Sequence, residues 1–128
     1  MKPAAVGPEH ILVVEDDSDL RDTLSDALRM EGYDVVAVEH GEAALRHLQR
    51  GLKPCMILLD LMMPVMDGWT FRSELLKDDD LAAIPVIVMT AVQPVRAATV
   101  ASDEILYKPL QMGTVVAVVQ AHCPDGAL

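Results

Sequence analysis

The chain has 128 residues and a mass of 13.9 kDa, enough for one ordinary domain and too short for two. Its formal charge of −10 opposes phosphate-rich and anionic surfaces, so neither nucleic acid nor membrane is expected as a partner. At 52% hydrophobic it can build a core; no apolar run approaches the roughly 20 residues of a membrane span, and the opening MKPAAVGPEH lacks a signal-peptide core. A cytoplasmic protein is expected. The acidic excess is uneven: residues 1–42 hold eleven acidic side chains against Lys2, Arg21 and Arg29. Cys55 and Cys123 form neither a CxxC nor a metal-ligand spacing, and are expected to be reduced, small apolar residues.

Residues 1–9, with Pro3, Gly7 and Pro8, read as a flexible leader, and 123–128 as a short tail. Between them strands and helices alternate. Residues 11–14 form a short β-branched run, the pattern of a strand buried on both faces. Leu20, Leu24, Ala27 and Leu28 then recur at helical spacing, with Asp17 or Ser18 as N-cap and Gly32 as C-cap. A second strand falls at 35–38 and a short helix at 41–50, closed by Gly51. The third strand spans 55–59, and a turn-rich segment leads to a helix over 69–76. The acidic run 77–80 reads as a solvated loop. Strands at 85–89 and 105–107 follow, and an apolar stretch at 115–121 closes the chain as a helix, though its valines favour that less. This alternation predicts an α/β fold, a parallel sheet with helices on both faces.

Ligands of such sheets bind at the carboxyl ends of the strands, which here carry Glu15 and Asp16, Asp60, Thr90 and Lys108. Three carboxylates at short range repel unless a proton or a cation intervenes, and hard oxygen donors suit Mg²⁺. Asp60 is then a candidate nucleophile towards phosphorus. Lys108 and the Thr90 hydroxyl are placed to take up charge on a transferring phosphoryl group.

The motifs ILVVEDDSDLR (11–21), ILLDLMMPVMDGW (57–69), PVIVMTA (85–91) and YKPL (107–110) resemble, in that order, the receiver domain of two-component response regulators. The resemblance covers about residues 10–122. It implies a doubly wound, flavodoxin-like sheet of strand order 2-1-3-4-5 and phosphorylation from a histidine kinase, phosphotransfer protein or small phosphodonor. By position Asp60 resembles the phosphoacceptor, Thr90 the switch hydroxyl and Lys108 the phosphate-pairing lysine. Asp16, Glu15 and Asp60, with the Met62 backbone carbonyl, resemble the Mg²⁺ site. Lys108-Pro109 resembles a bond that is cis in the family. The implied output is docking of a target near the fourth helix, fifth strand and fifth helix, by a monomer or weak dimer; the chain reads as a stand-alone, single-domain protein, with a receiver excised from a hybrid kinase or longer regulator as the alternative.

Three positions depart from the family. An aromatic residue usually stands three positions before the lysine; here it is Ile105, and Tyr107 is expected to pack beneath the last helix. Only residues 91–104 link Thr90 to Ile105, near the minimum of about a dozen for a parallel crossover. A weak fourth helix from Pro94 towards Ala101, short or partly unwound, is expected. Met62 is apolar where the family is often polar, and with Ala91 is expected to alter the acyl-phosphate lifetime. A second reading, from a different class, is a degenerate receiver acting as a constitutive interaction module. A metal-dependent phosphatase ranks lower, because Met62 stands where its general acid would be. His10, His40, His47 and His122 share no motif.

Overall fold

The computed structural model describes residues 10–124; the expected leader and residues 125–128 of the tail lie outside them. Strands β1 (His10–Val14), β2 (Asp34–Val38), β3 (Met56–Asp60), β4 (Val86–Thr90) and β5 (Glu104–Tyr107) form one parallel sheet. Their order, β2-β1-β3-β4-β5, is the doubly wound one expected. The helices are α1 (Ser18–Met30), α2 (Gly41–Gln49), α3 (Gly68–Leu75), α4 (Asp79–Ala82), α5 (Pro94–Ala97) and α6 (Met112–His122).

Strand alternation splits the core into two layers. Leu12, Val14, Ile57, Leu59, Val86 and Val88 pack on Ala44, Leu45 and Leu48 of α2 and Phe71 and Leu75 of α3. Ile11, Val13, Met56, Leu58, Ile87 and Met89 pack on Leu24 and Leu28 of α1 and Val115 and Val119 of α6. Each such fully buried Leu or Ile contributes about 2 kcal/mol by transfer from water. Double-sided burial holds for the three central strands; β2 and β5 are only half covered, because each has a neighbour on one side alone.

Local chemistry sets the boundaries. Asp17 caps α1, its carboxylate accepting from the Asp19 and Leu20 amides at 2.9 and 3.2 Å. Gly32 (φ 95°) and Gly51 (φ 107°) follow α1 and α2 in the left-handed conformation that costs other residues most. The valines do not prevent α6, since Val115 and Val119, one turn apart, both reach the core.

The expected short crossover helix is present: α5 starts at Pro94, stops at Ala97 short of Ala101, and its N-cap residue Gln93 makes no side-chain cap. Three expectations change. The acidic run is not all loop: the Asp78 carboxylate accepts from the Asp80 and Leu81 amides and starts the one-turn helix α4. Tyr107 does not pack beneath α6 but is 45% exposed, because β5 is an edge strand. Cys55 and Cys123 are not free thiols but a disulfide that ties the end of α6 to the approach to β3. Linear spacing could not show this, because the pair is 68 residues apart and meets only through the sheet. The Tyr33 hydroxyl donates to the Cys123 carbonyl at 2.7 Å beside it.

Candidate functional site

The carboxyl ends of β1, β3, β4 and β5 meet at one edge of the sheet. Immediately after β1, Glu15 is fully buried, and its amide donates to the Val38 carbonyl at 3.0 Å, continuing the sheet by one residue. Asp16 is exposed beside it. Asp60, the last residue of β3, is 4% exposed. Carboxylate oxygens of Glu15, Asp16 and Asp60 all lie within 4.8 Å of one another, so the predicted acidic cluster is assembled.

Lys108 enters from the end of β5, and the peptide bond that follows it, Lys108-Pro109, is cis. Its Nζ donates to Glu15 Oε1 at 2.8 Å and lies 3.6 Å from Asp60 Oδ1. Burial, and then the Glu15 charge, push the Asp60 carboxyl up to about 7, with Lys108 opposing. Burial pulls the Lys108 ammonium down, but the hydrogen bond to Glu15 and the charges of Asp60, Glu15 and Asp16 outweigh it, so its pKa is raised. A group of oxygen donors this crowded, with one member pushed towards protonation, is the environment that a divalent cation relieves.

Thr90, fully buried at the end of β4, accepts the Val92 amide on its Oγ1 at 3.0 Å, and its carbonyl accepts the Lys108 amide at 2.8 Å. The hydroxyl thus faces the start of the crossover. Met62 is held at the rim, its amide donating to Asp60 Oδ1 at 3.3 Å while its side chain is half exposed. Val65, in the same loop, is 73% exposed and adopts φ 67°, which costs an L residue about 1–2 kcal/mol.

Two residues escaped the sequence reading. Arg21 Nη1 donates to the Glu15 carbonyl at 2.9 Å and the Asp16 carbonyl at 3.4 Å, bracing the turn that carries both acids. Its only signal was its place at the end of the first motif. Gly68 opens α3 against β3: a Cβ there would sit 2.7 Å from the Asp60 carbonyl oxygen. Of the histidines, His40 caps α2 through Nδ1, which accepts the Ala43 amide at 3.1 Å.

The family profile for the response regulator receiver domain matches residues 11–120. The DNA-binding dual master transcriptional regulator RpaA of Synechocystis is 35% identical over 115 residues, which are 87% of this chain and 47% of that protein. The signal receiver domain of a signal transduction histidine kinase from Syntrophus aciditrophicus superposes with a TM-score of 0.84 at 31% identity, covering 91% of this chain and 90% of that one. The receiver domain of a Pseudomonas aeruginosa sensor histidine kinase, solved with magnesium coordinated in its active site cleft, has a TM-score of 0.83 at 28% identity, covering 93% and 99%.

These relatives correct one expectation. RpaA is a DNA-binding regulator, so the acidic charge does not remove nucleic acid from the partners to be considered. The chain spans about half the length of the curated relatives it matches, and the charge of one part sets no limit on what the rest of such proteins contact. Among the described residues no helix is long and apolar enough to cross a membrane. With sheet order, acidic cluster and sequence profile in agreement, the chain belongs to the response regulator receiver domain family.

Proposed function

We propose that this is a phosphorylatable receiver in which Asp60 accepts a phosphoryl group from a histidine kinase, a phosphotransfer protein or a small phosphodonor. The observation that carries the reading is the crowding of Glu15, Asp16 and Asp60 within 4.8 Å with the Lys108 ammonium between two of them. Glu15, Asp16, Asp60 and the Met62 carbonyl would hold Mg²⁺, and the all-oxygen donor set fits it. When bound, the ion offsets negative charge on the phosphoryl oxygens.

The side chains then divide the work. An oxygen of ionised Asp60 bonds to phosphorus as the bond to the donor breaks, and the donor nitrogen or oxygen leaves with the electron pair. Lys108, already 3.6 Å from Asp60, pairs with a phosphoryl oxygen, and the Thr90 hydroxyl, whose oxygen accepts the Val92 amide, donates its own proton to another. Later attack of water on phosphorus returns the Asp60 carboxylate and releases phosphate. Signalling is through the surface that follows β4, read by a docked partner or by the remainder of a longer regulator, since this chain matches 47% of the DNA-binding regulator RpaA.

The test is incubation with Mg²⁺ and acetyl phosphate, followed by intact mass. A phosphoryl adduct that Asp60→Asn abolishes supports the reading; no adduct overturns it. A constitutive module remains the second reading, because Ile105 replaces the family's aromatic and packs half-buried in the core. That reading predicts no change in hydrogen exchange over residues 91–107 when the adduct forms.

A further inference from the structure

The aromatic signal route of the family is missing at residue 105, yet the structure contains another physical path from Asp60 to the same surface. It begins at Gly68. Its amide donates to the Leu61 carbonyl at 2.9 Å, and a Cβ would lie 2.7 Å from the Asp60 carbonyl oxygen and 2.8 Å from Leu61 Cα. The start of α3 therefore rests directly on the backbone of Asp60, with no slack to absorb a shift there.

The same helix grips the crossover. Trp69 Nε1 donates to Thr99 Oγ1 at 2.8 Å, and Thr99 Oγ1 donates on to the Arg96 carbonyl at 2.7 Å. The Arg96 guanidinium stands over the Trp69 ring, 4.7 Å from its centroid. One turn along α3, Arg72 Nε donates to the Ala101 carbonyl at 2.8 Å. The far side of this contact is a four-residue helix with no side-chain cap, too short to hold its own position. The crossover sits where α3 places it.

The grip is also incomplete. Arg72 is 8% exposed, and its Nη1 has no hydrogen-bond partner among the described residues. A buried donor left unpaired favours any displacement that brings it a carbonyl, and the crossover backbone beside Ala101 supplies carbonyls. Ile105, by contrast, packs in the apolar layer beneath α3 and has no polar group to exchange.

We propose that the phosphorylation state of Asp60 reaches the 94–101 surface through α3, by the grip of Trp69 and Arg72 on Arg96, Thr99 and Ala101, and not by movement of residue 105. This rests on Asp60 being the phosphoacceptor. The experiment is hydrogen exchange of the full chain with Mg²⁺, with and without beryllofluoride, in wild type, Trp69→Phe, Thr99→Val and Ile105→Ala. Native mass reports the beryllofluoride adduct separately. The expected result is an adduct in all four proteins, an adduct-dependent exchange change over 94–101 in wild type and Ile105→Ala, and loss of that change in Trp69→Phe and Thr99→Val. A grip that is only structural would raise exchange in both states and leave the difference intact, which overturns the proposal. So does loss of the difference in Ile105→Ala, or its absence in wild type that carries the adduct. Arg96→Gln, at an exposed position, repeats the test should Thr99→Val not fold. No adduct in any protein would overturn the phosphoacceptor reading, and this inference with it.

Discussion

Lys108 is closer to Glu15 than to Asp60: its ammonium lies 2.8 Å from Glu15 Oε1 and 3.6 Å from Asp60 Oδ1. Glu15 is the fully buried acid of the three and has the greater need of a paired cation. For Asp60, burial and then the Glu15 charge push the carboxyl up to about 7, and Lys108 offsets them only in part. In this state the lysine holds the fold together at the site; engaging a phosphoryl group would draw it the other way.

Lys108→Met should therefore destabilise the metal-free protein by about 3 kcal/mol, at the low end for breaking a buried pair because Lys108 is partly exposed. The measurement is the urea midpoint, with the slope of the transition unchanged. If the midpoint does not move, the Glu15 pairing has no structural weight.

The titration of Asp60 gives a pH dependence with a definite sign. Its carboxyl is raised from 3.8 to about 7, so between those values the folded chain holds a proton that the unfolded chain has lost. The contribution of Asp60 to metal-free stability should fall as pH rises from about 4 to about 7, and its loss should be complete above that. Asp60→Asn removes the charge, so it should raise Tm at pH 8 in the presence of chelator and have little effect near pH 4. Equal effects at both pH values would refute the burial argument.

Arg21 should matter to metal binding without touching the metal. It donates to the backbone carbonyls of Glu15 and Asp16 and not to their carboxylates, so it fixes the turn without occupying a ligand atom. Arg21→Ala should weaken Mg²⁺ binding about 10-fold, the lower range for outer-shell support, and Arg21→Lys should recover part of it. A Mg²⁺ titration followed by Trp69 fluorescence reads the change. Unaltered affinity in Arg21→Ala would reduce its role to helix packing.

What could be read from the sequence divides along a physical line. Strand periodicity and strand-end residues are local, so the sheet and the convergence of Glu15, Asp16, Asp60 and Lys108 were legible before any coordinates. Arg21 was not, because its contacts are to backbone carbonyls, which leave no residue-type signature. The shortness of the crossover was legible from its 14 residues, but its placement was not. Its helix is one turn long and its position is set by Trp69 and Arg72, about thirty residues earlier in the chain. The Cys55–Cys123 bridge is the extreme case, a pairing that only the folded sheet brings together.

That bridge gives the last prediction. It closes a loop of about 70 residues, for which chain entropy alone allows about 4 kcal/mol, and typical bridges deliver about 2–4. Cys55 precedes the first residue of β3, and Asp60 is the last, so at about 3.3 Å per residue the bridge and the acidic cluster lie at opposite ends of one strand. The strand between them is buried at every position and packed on both faces, which confines the effect of the bridge to its own end. Reduction, or Cys123→Ser, should lower the urea midpoint while leaving Mg²⁺ affinity and the rate of adduct formation unchanged. Thiol titration before and after reductant should read zero and then two. Two reactive thiols in the unreduced protein would sink the prediction. A change in adduct rate on reduction would instead mean that β3 transmits strain along its length.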